Sequence, residues 1–158
     1  MTNDEGRTTN DGPPSADRSI ILVKIIPIID CSLSIEYPAN CVMSKELKAR
    51  TKDFAHRCVK LAMALPNTPL GNHIRGQLIR CSTSVASNYR AACHAQSKAG
   101  FIAKISIVIE EADESYFWLE FIIDEKMMKK ELVDPLLKEA YELTSIFITS
   151  RKTASKDN

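Results

Sequence analysis

Glycine is scarce in this sequence, and its absence from the usual motifs excludes several classes of enzyme. Five glycines occur among 158 residues, and none forms a phosphate-binding loop or the turn that presents a nucleophilic serine. Glu110 and Glu114 have i,i+4 spacing, but no histidine follows a glutamate at the Glu-x-x-His spacing of di-iron bundles. We therefore predict a protein that is not an enzyme, with no catalytic residue, no metal site and no cofactor.

Paired cysteines are also lacking. The five cysteines are odd in number and include no C-x-x-C pair, so the sequence predicts neither a disulfide framework nor a zinc site. This usage fits a reducing cytoplasm, where we expect the protein to be located. Cys58 and Cys81 fall at helix-interior positions, and we expect both to be buried as small apolar side chains.

No apolar run is long enough to span a membrane. The longest candidate, Ile20 to Ile29, has ten residues that include Lys24 and Pro27, whereas a spanning helix needs about 20 apolar residues. We expect no membrane contact, and we expect this segment to rest on the folded domain.

The first 42 residues differ in composition from the rest of the chain. Residues 1–19 carry only Met1 and Ala16 as apolar side chains, too few to offset the entropy of ordering the chain. Residues 1–42 are therefore predicted to be a largely disordered N-terminal extension. The composition becomes helical from Ser44 onward, and we hypothesise that the first 42 residues are dispensable or that translation starts at Met43.

The sequence of the remaining chain predicts one all-α domain of four helices over residues 43–154, followed by a disordered tail at 155–158. The first helix is expected from an N-cap at Ser44 to Leu65, and the second from Pro69, with Thr68 as its N-cap. The third is expected from Lys98, capped by Ser97, to about Met127. The fourth is expected to begin at Asp134-Pro135 and to fray near Thr153.

The second helix is amphipathic and basic. Its apolar stripe contains Leu70, Ile74, Leu78, Cys81, Val85, Tyr89 and Ala92. Residues 66–109 contain five Lys or Arg and no Asp or Glu, whereas residues 110–125 contain seven carboxylates and no base. Either the two helices pair their charges across a shared seam, or some bases face outward and bind phosphate. The candidate nucleic-acid-binding residues are Arg75, Arg80, Arg90, Lys98 and Lys104.

The third helix is apolar around more of its circumference than one core can cover. One stripe contains Phe101, Ile105, Val108, Ala112, Tyr116, Leu119 and Ile123. A second stripe, displaced by more than about 100°, contains Ile107, Phe117, Trp118, Phe121 and Ile122. We predict that this second stripe forms the interface of a homo-oligomer.

Two blocks carry a resemblance to a known family. The pattern SVxxNYxxA begins at Ser84, and EAxExxxWL runs from Glu111 to Leu119. Together with the residues around them, these blocks resemble the 23S ribosomal RNA intervening-sequence proteins, whose fold the accessory variability proteins of diversity-generating retroelements share. The resemblance covers about Met43 to Ala154.

The resemblance implies an up-and-down antiparallel four-helix bundle that forms a homopentamer and binds RNA or DNA. In retroelement relatives it implies action together with a reverse transcriptase. We therefore expect a non-enzymatic oligomeric bundle that binds nucleic acid through the basic second helix. The alternative is a structural or protein-interaction bundle, for example a reverse-transcriptase accessory subunit, whose charges are paired internally.

Overall fold

The chain forms four helices in the computed structural model, which describes residues 39–156 and only the backbone of residues 39–43. They are α1 (Ala39–Met63), α2 (Pro69–Ala92), α3 (Lys98–Asp124) and α4 (Lys130–Lys156). The described residues include no strand, which confirms the all-α prediction. The predictions for residues 1–38 lie outside this range. None of the four helices is long and apolar enough to cross a membrane.

Neighbouring helices run antiparallel. The ring of His73 on α2 contacts that of Trp118 on α3, while Arg80, two turns further along α2, meets Glu111, about two turns back along α3. On the other side of α3, Ser106 bonds to Arg151 of α4, and Tyr116 contacts the earlier Tyr141. Connections of five residues join consecutive helices, so the bundle is up-and-down.

The core consists of the apolar stripes that periodicity predicts. Its largest fully buried side chains are Phe54, Ile74, Leu78, Ile105, Leu119, Ile122, Leu143 and Phe147. The rings of Tyr89 and Phe147, whose centroids lie 5.2 Å apart, bring α2 and α4 together across the bundle. Leu70, predicted to be in the core, is 41% exposed because it lies in the first turn of α2, at the edge of the bundle.

Side-chain caps fix the starts of the two central helices. Thr68 accepts a hydrogen bond from the Gly71 amide at 3.0 Å, and Ser97 accepts one from the Gly100 amide at 3.0 Å. Each cap satisfies an amide that has no carbonyl partner within its helix. Both predicted N-caps are confirmed.

The starts of the outer helices differ from the prediction. Because α1 begins at Ala39, Ser44 is not its N-cap; its hydroxyl instead donates to Cys93 Sγ at 3.6 Å. The start of α4 at Lys130 places Pro135 inside the helix. Val133 is fully buried, and this burial draws the turn before Pro135 into the bundle, although the proline has no amide to donate to the helix.

The ends of the last two helices also differ. Although the sequence indicates an end near Met127, α3 ends at Asp124, where Lys126 adopts a left-handed conformation with φ 52°. The Lys126 amide bonds to Ile123 O at 2.9 Å and the Met127 amide to Ile122 O at 3.0 Å, which is a Schellman motif. In α4 the helix continues past Thr153 to Lys156.

Small polar and sulfur-containing residues line the helix contacts. Cys58 and Cys81 are buried as predicted, and burial raises the pKa of Cys81 to about 11. Four buried hydroxyls donate to carbonyls of their own helices; they belong to Thr51, Ser82, Ser115 and Ser150. These small side chains therefore let helices approach without leaving a buried side-chain nitrogen or oxygen unsatisfied in the described part of the chain.

Candidate nucleic-acid interface

Arg80 is paired across the seam between α2 and α3. Its Nη1 lies 3.2 Å from both carboxylate oxygens of Glu111, and its Nη2 bonds to Glu114 Oε1. The hydrogen bond with Glu114 raises the pKa of Arg80, and the same bond lowers the pKa of Glu114. Of the two possibilities that the sequence leaves open, charge pairing therefore holds at this predicted site residue.

Arg75 binds the end of the preceding helix. Its Nε donates to Ala62 O at 3.2 Å and its Nη2 to Leu65 O at 2.8 Å, while Nη1 donates to Asn72 Oδ1 at 2.5 Å. The carbonyls at the end of a helix have no amide partners within it, and a cation there also opposes the helix dipole. Arg75 thus joins α1 to α2.

The other three candidates lie around the opposite end of α2. Arg90 occupies its last turn, Lys98 begins α3, and Lys104 is located nearly two turns later. Arg90 and Lys98 are exposed, and Lys104 is half-buried. Over residues 44–156, neither Arg90 nor Lys104 forms an ion pair.

Antiparallel packing brings the last turns of α4 to this same end of the bundle. Arg151 Nη1 donates to Ser106 Oγ at 3.5 Å, and Ser155 lines a shallow cleft with Lys98 and Ile102. We call the resulting group of six bases the basic end: Arg90, Lys98, Lys104, Arg151, Lys152 and Lys156. At this end, the segments of α2, α3 and α4 within residues 81–109 and 143–156 contain no Asp or Glu. The start of α1 also lies here, since Ser44 contacts Cys93, and it adds Lys45, Glu46 and Lys48.

Sequence reasoning misses the α4 contribution to the basic end. The fourth helix is predicted to fray near Thr153 and to be followed by a disordered tail at 155–158, although Ala154 is buried. The available signal is the cluster of Arg151, Lys152 and Lys156, whose one nearby acid in the sequence is Asp157. The proximity of that cluster to Lys98 results from the bundle topology, which no local sequence pattern predicts.

The predicted oligomer stripe on α3 divides between the core and the surface. Ile122 is fully buried, and we correct its assignment because it cannot reach a second copy. Ile107, Trp118 and Phe121 are half-buried, whereas Phe117 is 50% exposed.

Trp118 packs against its own chain. Its ring contacts His73 on α2 with centroids 5.5 Å apart and Phe121 with centroids 6.0 Å apart. Its Nε1 donates to Glu114 Oε1 at 3.2 Å. Much of the aromatic surface that the sequence assigns to an interface therefore closes the groove between α2 and α3.

Within the part of the chain that the structure describes, no three His, Cys, Asp or Glu side chains are placed to hold a metal ion. The distinctive chemistry of the surface is charge: a basic end and, along α3, a row of carboxylates.

Comparison with known proteins agrees with this architecture. A sequence model of the 23S rRNA-intervening sequence protein family matches residues 45–149. The chain belongs to this family. The match includes most of each of the four helices, but it ends before Arg151, Lys152 and Lys156.

A solved structure shows the same fold. It is the crystal structure of a protein of unknown function from the S23 ribosomal protein family of Bacteroides thetaiotaomicron. That protein is 31% identical, with a TM-score of 0.64, and the match covers 69% of this chain and 97% of the other. No curated protein matches the chain. The family resemblance and the four-helix fold are thus confirmed.

Proposed function

We propose that this chain is a non-enzymatic member of its family that binds RNA or DNA through the basic end. The observation that carries the proposal is the convergence of six Lys and Arg from three helices in segments without Asp or Glu. Such a group creates a positive potential that attracts phosphate. This location differs from the basic face of the second helix that the sequence indicates, because Arg75 and Arg80 are engaged within the chain.

Binding through the basic end should depend on charge and little on sequence. Lysine and arginine side chains contact phosphate oxygens, which carry no base information. Each neutralised phosphate contributes a slope of about −0.9 to the dependence of log affinity on log salt for duplex DNA. We therefore expect binding that weakens steeply between low and physiological salt.

The test is a filter-binding titration of RNA and duplex DNA at two salt concentrations. The variant carries Lys152→Glu and Lys156→Glu in the basic end, and the control carries Lys129→Glu and Lys130→Glu at the opposite end of the bundle. All four lysines are exposed, so both variants change the net charge equally. We expect the first variant to lose at least about tenfold in affinity at low salt and the control to change much less. Absence of salt-sensitive binding by the unmodified protein would contradict the proposal.

The second candidate is a structural or protein-interaction bundle with internally paired charges. It is supported by Arg80 between Glu111 and Glu114, and by Arg50 between Glu139 and Glu142. Under this alternative the titrations show no binding at any salt concentration. A weakening that is equal in the variant and its control would indicate attraction to overall charge and no defined site.

We also propose that the chain forms a homo-oligomer, for which the family resemblance implies a pentamer. The support is the half-exposed ring of Phe117 beside Trp118 and Phe121, with centroids 4.9 Å and 5.9 Å away. Light scattering of the unmodified protein and of Trp118→Ala tests the proposal. We expect a mass several times that of one chain and a lower mass for the variant, and a single-chain mass for the unmodified protein would contradict it.

A further inference from the structure

A basic stripe runs along the outer face of α1. It contains six exposed residues spaced by three or four positions: Lys45, Ala49, Lys52, His56, Lys60 and Met63. This spacing keeps them on one side of the helix. Over residues 44–156, none of the three lysines forms an ion pair. Met63 is 64% exposed, which places an apolar side chain at one end of the stripe.

An acidic stripe runs along the outer face of α3. It contains five exposed residues with the same spacing: Glu110, Asp113, Phe117, Glu120 and Asp124. None of these carboxylates has a cation within ion-pair distance among the described side chains. The stripe therefore surrounds a half-exposed aromatic ring with four uncompensated negative charges.

The two stripes belong to diagonally opposed helices. Both α1 and α3 pack against α2 and α4, so their outer faces point to opposite sides of the bundle. A single chain cannot bring its own basic and acidic stripes together. Several copies can bring them together, because the acidic stripe of each copy can contact one neighbour while its basic stripe contacts another.

We infer that the acidic stripe of one copy packs along the basic stripe of the next copy. The inference rests on the self-association proposed above, and it identifies the two helix faces that form the contact between copies. Asp113, Phe117 and Glu120 have the same four-and-three spacing as Lys45, Ala49 and Lys52. The large ring of Phe117 can therefore pack over the small side chain of Ala49. In the same register, Lys45 and Lys52 lie opposite Asp113 and Glu120.

Electrostatic repulsion favours this contact over a symmetric contact between two acidic stripes. Two acidic stripes placed face to face would bring like charges together without compensation, which disfavours a contact between identical faces. A contact between different faces is heterologous, and repetition of it closes into a ring when the rotation permits. The inferred pairing is therefore compatible with a cyclic assembly and excludes a two-fold dimer through α3.

Charge reversal tests the pairing. One variant carries Asp113→Lys and Glu120→Lys, and a second carries Lys45→Glu and Lys52→Glu. We expect each alone to lose self-association and to scatter light as a single chain of 17.6 kDa at micromolar concentration. An equimolar mixture of the two should associate again, because opposite charges meet wherever the variants alternate. A chain that carries all four changes should recover the mass of the unmodified protein, because opposite charges then meet at every contact between copies.

A matched control and a milder pair of variants complete the design. Glu131→Lys with Lys138→Glu changes exposed residues of α4 outside both stripes and should leave the mass unchanged. Circular dichroism verifies folding. If a reversal variant is unfolded, Asp113→Asn with Glu120→Gln and Lys45→Gln with Lys52→Gln replace it, and each should raise the dissociation constant at least about tenfold.

The outcomes separate this inference from the proposal beneath it. If the unmodified protein has the mass of one chain, the proposed self-association is wrong and the pairing is wrong with it. If the unmodified protein is oligomeric but the folded reversal variants have the same mass as it, or the chain with all four changes does not recover that mass, only the pairing of these faces is overturned. Nucleic-acid binding is measured separately, because neither pair of changes replaces a residue of the basic end.

Discussion

The indole Nε1 of Trp118 donates a hydrogen bond to Glu114 Oε1, one turn earlier on α3, at 3.2 Å. The same oxygen accepts from Arg80 of α2. Arg80, and to a lesser degree Trp118, lower the pKa of Glu114. Because Trp118 is the sole tryptophan, its fluorescence responds to changes at Glu114 as well as at the His73 ring that it contacts.

We predict that Trp118 emission titrates with a midpoint below the usual glutamate pKa, about 4.3. Protonation of Glu114 removes the acceptor of the indole and weakens the bridge to Arg80, so the ring environment changes. Fluorescence is measured from pH 7 to pH 2.5, with circular dichroism to identify the range in which the helices are intact. Glu114→Gln should abolish the transition, and its persistence in that variant would contradict the assignment.

The same carboxylate predicts a pH-dependent contribution to stability. A folded-state pKa below the unfolded value means that ionised Glu114 stabilises the fold above the unfolded pKa, and the contribution disappears as pH falls through the lowered folded pKa. The difference in free energy of unfolding between the unmodified protein and Glu114→Gln should therefore be larger at pH 7 than at pH 3. Urea unfolding at both values checks this, and an equal difference would contradict it.

Gly71 is required by the turn between α1 and α2. A Cβ atom added at this position would lie 2.0 Å from the Pro66 carbonyl oxygen, and this atom belongs to the backbone. We expect Gly71→Ala to reduce the free energy of unfolding by about 2 kcal/mol or more. Gly76→Ala is the control, because a Cβ there meets nothing within 4 Å and should stabilise α2 by about 0.5–1 kcal/mol. Thermal unfolding distinguishes the two variants, because the melting temperature should fall for Gly71→Ala and rise for Gly76→Ala.

Lys126 occupies a backbone conformation that favours glycine. With φ 52° it closes the Schellman motif of α3, and a side chain in the left-handed region costs about 1–2 kcal/mol. Lys126→Gly should therefore increase the free energy of unfolding by about 1 kcal/mol. Lys126→Ala removes the same charge and keeps a Cβ atom, so it should have little effect. An equal increase in the free energy of unfolding for both variants would show that the effect comes from the lost charge and not from the backbone conformation.

Arg50 bridges the first and last helices. Its Nε lies 2.6 Å from Glu139 Oε1 and its Nη2 lies 2.6 Å from Glu142 Oε2, and the hydrogen bond with Glu139 contributes most to its raised pKa. We expect Arg50→Ala to lower the free energy of unfolding by about 1 kcal/mol, a value reduced for solvent screening.

Arg57→Ala is the control for Arg50. Arg57 faces Asp53 of its own helix at 3.7 Å and is more exposed than Arg50. Its loss should cost less than about 0.5 kcal/mol. Urea unfolding of both variants at low and high salt makes the comparison, and equal losses would indicate that the bridge between α1 and α4 adds nothing to stability.

Local chemistry explains which predictions from sequence succeeded. Thr68 and Ser97 could be identified as caps because an N-cap depends on a few neighbouring residues. Ser44 and Asp134 belong to residue types that also make good caps, yet the helices begin earlier. Burial of Val133 extends α4, and burial depends on helices that are distant in sequence.

The amino-acid sequence alone determined four amphipathic helices, their core stripes and the separation of acid from base along the chain. Helical periodicity and charge content are local properties, so they could be read without a partner. Which charges meet was decided by the tertiary structure. Arg75 and Arg80 have the same residue type and lie on the same helix, but one binds carbonyls at and just after the end of α1 and the other binds carboxylates on α3. The basic end likewise exists only because antiparallel packing places the last turns of α2 and α4 beside the start of α3.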